Sequence, residues 1–97
     1  MEWIDLGTVG TEGSENGIIL MDEEYNEACR ITLEKCERYY AITCGVYGSM
    51  VHTAFCSPDD YQEKYTAMKN ELKEFIDKET SEEEREAFYD SFTSKYW

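Results

Sequence analysis

The chain has 97 residues, of which 41% are hydrophobic, and its 22 acidic and 9 basic side chains give a formal net charge of -13 at pH 7. This length fits one domain with a modest core and leaves no room for a large cleft between two domains. The charge argues against direct binding to nucleic acid or anionic membranes and favours a protein partner with a basic surface.

The N-terminal segment is apolar but lacks the features of a secretory signal. Residues 3–6 include Trp3, Ile4 and Leu6, which either add a strand to a sheet or pack elsewhere. The start of the chain has no basic segment followed by an apolar one, and no run of about eighteen apolar residues occurs that would span a bilayer. We therefore predict a cytoplasmic protein without a membrane segment.

A glycine-rich segment, residues 7–17, is predicted to be a flexible loop because four glycines are spaced among polar residues. The composition invites comparison with phosphate-binding loops. However, no lysine or arginine precedes Arg30, and the segment carries Glu12 and Glu15. These charges favour a connector over a phosphate site.

The apolar run from Ile18 to Met21 has the length of a strand. A connection of about three residues around Tyr25-Asn26 would pair it with the strand that begins at Cys29. The acidic residues after the run, Asp22-Glu23-Glu24, are interpreted as solvated charge. The predicted pairs are Met21 opposite Ile31 and Ile19 opposite Leu33.

Residues Cys29 to Cys56 predict three further strands joined by two-residue turns at Glu37-Arg38 and Gly48-Ser49. Counting outward from each turn places an apolar set on the same face, and a slip of one residue would reverse that face. The first turn predicts the pairs Leu33 with Ile42, Ile31 with Cys44 and Cys29 with Val46. The second turn predicts Val46 with Val51, Cys44 with Thr53 and Ile42 with Phe55.

Two helices are predicted after the strands, over residues 58–79 and 82–94, because apolar residues recur there every three or four positions. The stripe of the first helix is Tyr61, Tyr65, Met68, Leu72, Phe75 and Ile76, and that of the second is Phe88, Phe92 and Tyr96. Ser57 is a candidate N-cap with Pro58 at the first helical position, and Ser81 with Glu84 has the spacing of a capping box. The predicted fold is α+β, a single domain over residues 1–97. It has an antiparallel meander of four to five strands within residues 17–56, and both C-terminal helices pack on one sheet face.

The four cysteines are interpreted as free thiols in a reducing compartment, with a disulfide or metal site as the alternative. Their spacings match no zinc pattern, and in a flat strand His52 and Cys56 would be roughly 13 Å apart, too far for one metal ion. We therefore predict no metal, no cofactor and no cysteine nucleophile.

The open face, the sheet face that the helices do not cover, is the predicted functional surface. In the predicted register Arg30 and His52 flank Gly45, forming either a notch for an anion or carboxylate, or two exposed side chains beside a residue that lets the sheet twist. The face is predicted to carry Arg30, Thr32, Glu34, Ala41, Thr43, Gly45, His52, Ala54 and Cys56, with Tyr39, Tyr47 and Met50 near the turns. The candidate site residues are Arg30, Thr32, Thr43, Gly45, His52, Tyr39 and Tyr47.

Two functions from different classes follow from this pattern. The first is a small acidic interaction module that docks a basic protein, as an inhibitor or an immunity-type protein does, because exposed Tyr and Trp beside acidic residues are typical of interfaces. The second is a small-ligand-binding or enzymatic domain that uses the open face around Arg30, Gly45 and His52. A homodimer through the open face or an edge strand is a third alternative.

Overall fold

The structure is a computed structural model that describes residues 2–96, so that Met1 and Trp97, the two ends of the predicted domain, lie outside the described residues. It has an α+β fold in which a five-stranded antiparallel sheet, with the strands in chain order, precedes two helices. This confirms the predicted fold class. The sheet has five strands rather than four because residues 3–5 form an additional strand at its N-terminal end. The strands are β1 (Trp3–Asp5), β2 (Ile18–Tyr25), β3 (Cys29–Lys35), β4 (Tyr40–Val46) and β5 (Met50–Cys56), and the helices are α1 (Tyr61–Asp77) and α2 (Glu82–Lys95).

The register between β3 and β4 is the one that the sequence predicts. Ile31 lies opposite Cys44, and the flanking predicted pairs are also present. The Cys36 N–H donates to the Tyr39 carbonyl oxygen at 2.9 Å, which leaves Glu37-Arg38 as the two-residue turn. The apolar side chains on one face of these two strands are buried and form the centre of the core.

The β2–β3 register differs from the prediction by two residues, because the turn is centred one residue later. Asn26 and Glu27 both have positive φ, 53° and 51°, and the Ala28 N–H donates to the Tyr25 carbonyl oxygen at 2.9 Å. This is the pattern of a type I′ turn. Met21 consequently lies opposite Leu33, and a bulge between Ile19 and Met21 places Ile19 opposite Glu34 rather than opposite Leu33.

The predicted β4–β5 register is wrong by one residue. Val46 pairs with Met50, because the connection contains Tyr47, Gly48 and Ser49 rather than two residues. The Ser49 N–H donates to the Val46 carbonyl oxygen at 2.9 Å and Gly48 has a φ of 76°, as a type II turn requires. The shift exchanges the two faces of β5. The helix side therefore holds Met50, His52, Ala54 and Cys56, and the open face holds Val51, Thr53 and Phe55.

The helices cover the apolar face with the predicted stripe. Met68 and Leu72 of α1 and Phe92 of α2 are buried, and the Phe75 and Phe88 rings stack with centroids 4.1 Å apart between the two helices. Neither helix is long and apolar enough to cross a membrane, as judged on residues 2–96.

The start of one helix is predicted correctly and the start of the other is not. The capping box of Ser81 and Glu84 is formed at the N-terminus of α2. Helix α1 begins at Tyr61, three residues after the predicted first position. Its N-cap is Asp60 rather than Ser57, because residues 57–60 form a turn before the helix, in which the Ser57 N–H donates to Asp60 Oδ1 at 2.8 Å.

Candidate functional site

The open face contains a cleft between the glycine-rich segment and the β4–β5 hairpin, with a volume of about 500 Å³. We call it the open-face cleft. Five of the seven predicted site residues line it, together with Thr8, Thr11, Glu12, Ser14 and Val51 of the opposite wall and rim. Those five residues are Arg30, Thr32, Thr43, Gly45 and Tyr47. The structure does not bring the other two, His52 and Tyr39, to the cleft.

The glycine-rich segment, which the sequence predicts to be a flexible loop, is hydrogen-bonded to the sheet along its length. The Gly10 N–H donates to the Ile19 carbonyl oxygen at 2.8 Å, and the Ile19 N–H donates to the Thr11 carbonyl oxygen at 2.9 Å. Glu12 forms an antiparallel bridge with Ile18. The segment therefore builds one wall of the open-face cleft beside β2.

Asp22 lies buried at the base of this wall and accepts hydrogen bonds from three side chains. Arg30 donates from Nε at 2.8 Å and from Nη2 at 2.6 Å, Thr8 Oγ1 donates at 2.7 Å, and Thr32 Oγ1 donates at 3.0 Å. Burial alone raises the pKa of Asp22, but these hydrogen bonds and the Arg30 charge outweigh it and hold the pKa below its ordinary 3.8. The sequence predicted that Asp22 is a solvated charge. In the structure it is a buried, ionised carboxylate that holds Thr8, Arg30 and Thr32 in place.

Because of this ion pair, the Arg30 guanidinium is not free to bind an anion in the cleft. Two guanidinium nitrogens are already directed at Asp22, whose side chain has no solvent exposure. Arg30 therefore adds no net positive charge to the cleft, and the cleft is poorly suited to an anion. Its other polar groups near the base include the Thr32 hydroxyl, which donates to Asp22, and the Thr43 hydroxyl, whose oxygen lies 3.3 Å from that of Thr53.

Glu34 is the second buried carboxylate of the open face, and the backbone of the glycine-rich segment satisfies it. The N–H groups of Glu15 and Gly17 donate to Glu34 Oε2 at 3.1 and 3.0 Å. Gly13 packs directly against it, since a Cβ at Gly13 would lie 2.3 Å from Glu34 Cδ. Within residues 2–96 no lysine or arginine forms an ion pair with Glu34. Glu34 therefore holds the segment against the sheet.

The predicted notch between Arg30 and His52 is not formed. Arg30 does lie opposite Gly45, but the residue on the other side of Gly45 is Val51. His52 is opposite Cys44 on the helix side, and its Nε2 lies in hydrogen-bond contact with the Tyr96 carbonyl oxygen at the end of α2. His52 is thus a packing contact between sheet and helix, and the error follows directly from the one-residue register shift.

The two tyrosines of the candidate set lie at opposite ends of the open face. The Tyr47 hydroxyl donates to Glu24 Oε2 at 2.5 Å, and burial together with this carboxylate raises the pKa of Tyr47 to about 12. Tyr39 packs edge-on against Phe55 with ring centroids 5.4 Å apart. Tyr39 and Phe55 remain 37% and 49% exposed, so they form an aromatic pair at the surface.

Formal charge is unevenly distributed across the sheet. Residues 2–29, which contain β1, β2 and the glycine-rich segment, hold eight acidic residues and no lysine or arginine. Two of these acids, Asp22 and Glu23, are paired with Arg30 and Lys69. By contrast, the 20 residues from Tyr39 to Pro58 contain no Asp, Glu, Lys or Arg. One end of the sheet, which we call the acidic end (residues 2–29), is negative, whereas β4 and β5 themselves carry no charged residue, and the charges that reach the β5 edge are Lys64 of α1 and its partner Asp60.

Three of the four cysteines are core residues. Cys29, Cys44 and Cys56 are buried, all four thiols are free, and in the described part of the chain no three His, Cys, Asp or Glu side chains are grouped to hold a metal ion. Burial raises the pKa of Cys29 to about 11 and that of Cys44 to about 12. These thiols are protonated at neutral pH.

Comparison of the chain with models of protein families, with curated protein sequences and with solved structures found no match.

Proposed function

We propose that this protein is an interaction module that binds a protein with a basic surface through its acidic end. The observation that carries the proposal is the uneven charge of the sheet. After the Asp22 and Glu23 ion pairs are set aside, six acidic residues remain in the acidic end with no basic residue among them. Such a field attracts a basic partner and raises its rate of association.

The acidic end also offers apolar surface to such a partner. Ile4 in β1 and Val9 in the glycine-rich segment are 60% and 54% exposed. Apolar side chains within a polar rim are the usual anatomy of a protein interface. A partner whose own active surface is basic would be occluded on binding, which is how an inhibitor or an immunity-type protein acts.

The test compares two doubly substituted variants that lose the same charge from different places. Glu12→Gln with Glu27→Gln neutralises two exposed carboxylates of the acidic end, and Glu83→Gln with Glu86→Gln neutralises two exposed carboxylates on α2. Partners captured from a lysate of the source organism are first ranked by charge. Affinity for the captured partner is then measured with each variant at several salt concentrations.

We expect the partner to be basic, the first variant to bind more weakly with a shallower salt dependence, and the α2 variant to bind like the parent. An affinity that does not depend on salt, or that falls equally in both variants, would contradict the proposal.

The open-face cleft supports a second candidate function, the binding of a small ligand. Its volume of about 500 Å³ is within the usual range for ligand sites. Because Asp22 neutralises Arg30, an uncharged ligand that donates hydrogen bonds to the Thr32 and Thr43 hydroxyl oxygens, which already bond to Asp22 and Thr53, fits better than an anion. Of the predicted trio Arg30, Gly45 and His52, only the first two take part in this site.

A thermal-shift screen with a library of metabolites tests this candidate. A ligand of the cleft should stabilise the parent and should lose its effect in Thr43→Ile, which fills the cleft. Thr66→Ile on α1 is the matched control, because Thr66 is exposed and does not line the cleft. A screen without a hit, or a hit that Thr43→Ile leaves unchanged, removes the candidate.

A further inference from the structure

Strand β5 is an edge strand whose own residues lack the usual protections against pairing. It is seven residues long, it lies last in the sheet order, and its register with β4 runs without a bulge. It contains no charged residue and no proline, the two commonest protections of a sheet edge. Val51 and Phe55, which project from it onto the open face, are 83% and 49% exposed.

The backbone groups that this edge presents follow from the hydrogen-bond alternation of the sheet. The Cys36 N–H bonds to Tyr39 and the Tyr47 N–H bonds to Ala28, so the odd-numbered residues of β4 direct their backbone groups toward β3. Its even-numbered residues, from Tyr40 to Val46, therefore bond to β5, where their partners are even-numbered as well.

The odd-numbered residues Val51, Thr53 and Phe55 consequently direct their N–H and C=O groups away from the sheet. The Phe55 carbonyl oxygen accepts a hydrogen bond from Lys64 Nζ at 3.5 Å, which agrees with this direction.

From this geometry we infer that β5 pairs antiparallel with β5 of a second copy of the chain, joining the two sheets into one of ten strands. With a two-fold axis at Thr53, Thr53 lies opposite the partner's Thr53 and Val51 lies opposite the partner's Phe55. The outward groups of the three residues then form about six backbone hydrogen bonds across the axis, and the Phe55 carbonyl oxygen, which has two lone pairs, accepts from the second copy as well as from Lys64. An aliphatic side chain opposite an aromatic one is a favourable cross-strand pair.

The charge distribution favours a second copy over a basic protein at this edge. Two chains with a net charge of -13 repel each other, so they approach most easily through β4 and β5, the strands that carry no charged residue. The edge strand β5 has no carboxylate that would attract a basic partner. Strand β2 is three strand spacings away, roughly 14 Å, which exceeds the Debye length of about 8 Å at physiological salt.

The test is the mass of the full chain by sedimentation equilibrium over a range of protein and salt concentrations. We expect a monomer–dimer equilibrium whose dimer becomes tighter as salt rises from about 0.05 M to about 0.5 M, since salt screens the repulsion between like-charged copies. Binding of a basic partner at the acidic end weakens over the same range. The opposite salt dependences therefore distinguish a failure of the β5 dimer from a failure of the proposed binding of a basic partner.

Charged substitutions of either sign at Thr53, the residue on the two-fold axis, test where the interface lies. Thr53→Lys and Thr53→Glu each place like charges opposite one another, and each alone should weaken the dimer about fivefold or more. An equal mixture of the two should form a heterodimer, because opposite charges then meet at the axis. Asn70→Lys is the control, since it makes the same charge change as Thr53→Lys on the exposed surface of α1.

Thr53→Pro separates edge pairing from packing of open face on open face. It removes an outward N–H without adding charge, and prolines are tolerated at such edge positions. Edge pairing should be lost, whereas face-to-face packing would persist. A chain that stays monomeric at high salt, Thr53 variants that dimerise like the parent, a mixture without heterodimer, or capture of another protein's strand at β5 would each overturn the inference.

Discussion

At the scale of single residues, the open face buries two carboxylates and satisfies them in different ways. Asp22 is paired with Arg30 and two threonine hydroxyls, while Glu34 accepts backbone N–H groups of the glycine-rich segment. Both side chains are almost fully buried. Burial of a charge without such partners is strongly unfavourable, so each carboxylate determines the position of the groups around it.

Replacing Asp22 by asparagine should lower the free energy of unfolding by about 2 kcal/mol, because the partly exposed Arg30 loses its ionic partner and the buried site gains donors without acceptors. Denaturant unfolding at pH 7 measures the change. Asp59→Asn is the matched control, because Asp59 is exposed, and it should have little effect. An equal loss in both variants would show that Asp22 has no special role.

The stability difference between the parent and Asp22→Asn should depend on pH. The pKa of Asp22 lies below its ordinary 3.8 in the folded state. Its contribution is therefore fully present above pH 3.8 and is lost as pH falls through the lower folded pKa. The difference in stability between the parent and Asp22→Asn should be constant from pH 7 to about pH 5 and should narrow in more acidic solution. A difference that widens on acidification would have the wrong sign.

Thiol labelling should distinguish Cys36 from the other cysteines. Cys36 lies outside the strands and is only partly buried, whereas Cys29 and Cys44 are core residues. Burial raises the pKa of Cys29 to about 11 and that of Cys44 to about 12, and burial together with the Glu34 charge raises the pKa of Cys36 as well, so that access to solvent rather than ionisation distinguishes Cys36. Under native conditions one thiol should react fast, and Cys36→Ser should remove that phase. Cys44→Ser is the control and should keep it.

At the scale of elements, the turns decide which side chains share a face. Glu37-Arg38 acts as the predicted two-residue turn, and the β3–β4 register follows it. The turn at Gly48 closes one residue earlier than expected, which sends His52 to the helix side. A turn of three residues in place of two thereby removed the predicted notch.

Gly48→Ala tests the turn without changing any packing contact. Gly48 has a φ of 76°, and a Cβ placed there would meet nothing within 4 Å. The substitution should therefore cost about 1 kcal/mol through backbone strain alone, and Gly48→Asn should cost less. Thermal unfolding measures both, with Ser49→Ala as the neighbouring control. A neutral Gly48→Ala would mean that the turn relaxes without loss.

At the scale of the whole molecule, the 22 acidic side chains outnumber the 9 basic ones, so internal ion pairs cannot provide a cationic partner for every carboxylate. The described residues contain five ion pairs, and a single lysine or arginine takes part in each. Most carboxylates are therefore left without a cationic partner, and their mutual repulsion opposes compaction. The same excess of charge underlies the proposed attraction to a basic partner and the proposed salt dependence of the dimer.

Salt should therefore stabilise the monomer. Raising the ionic strength from about 0.01 M to about 0.15 M should raise the melting temperature, because screening weakens the repulsion more than it weakens the few ion pairs. The measurement uses a protein concentration at which the chain is monomeric. The variant Glu12→Gln with Glu27→Gln should show a smaller increase. A melting temperature that falls with salt would mean that the ion pairs dominate.

The fold was predictable from the sequence to the level of its elements. Apolar alternation located the strands, the spacing of Met68 and Leu72 identified the buried side of α1, and the Ser81 capping box located the start of α2. These signals are local, because each depends on residues within about two turns of helix or one hairpin. Five of the seven candidate site residues were also placed on one surface, because the β3–β4 register was correct.

The remaining features depended on contacts between distant parts of the chain. Both faces of β5 are uncharged, so its alternation did not indicate whether the turn before it has two residues or three, and the side that faces the helices was decided by the folded hairpin. In the sequence alone Asp22 and Glu34 resemble surface charges, because the glycine-rich segment and Arg30 come into contact with them only in the folded chain.

The sequence by itself determined the strands, the helices and the unequal charge of the two ends of the sheet, since composition and periodicity are properties of the chain. Tertiary structure alone decided the open-face cleft, the buried carboxylates and the side of the sheet that holds His52, since burial and hydrogen bonding exist only between segments that folding brings together.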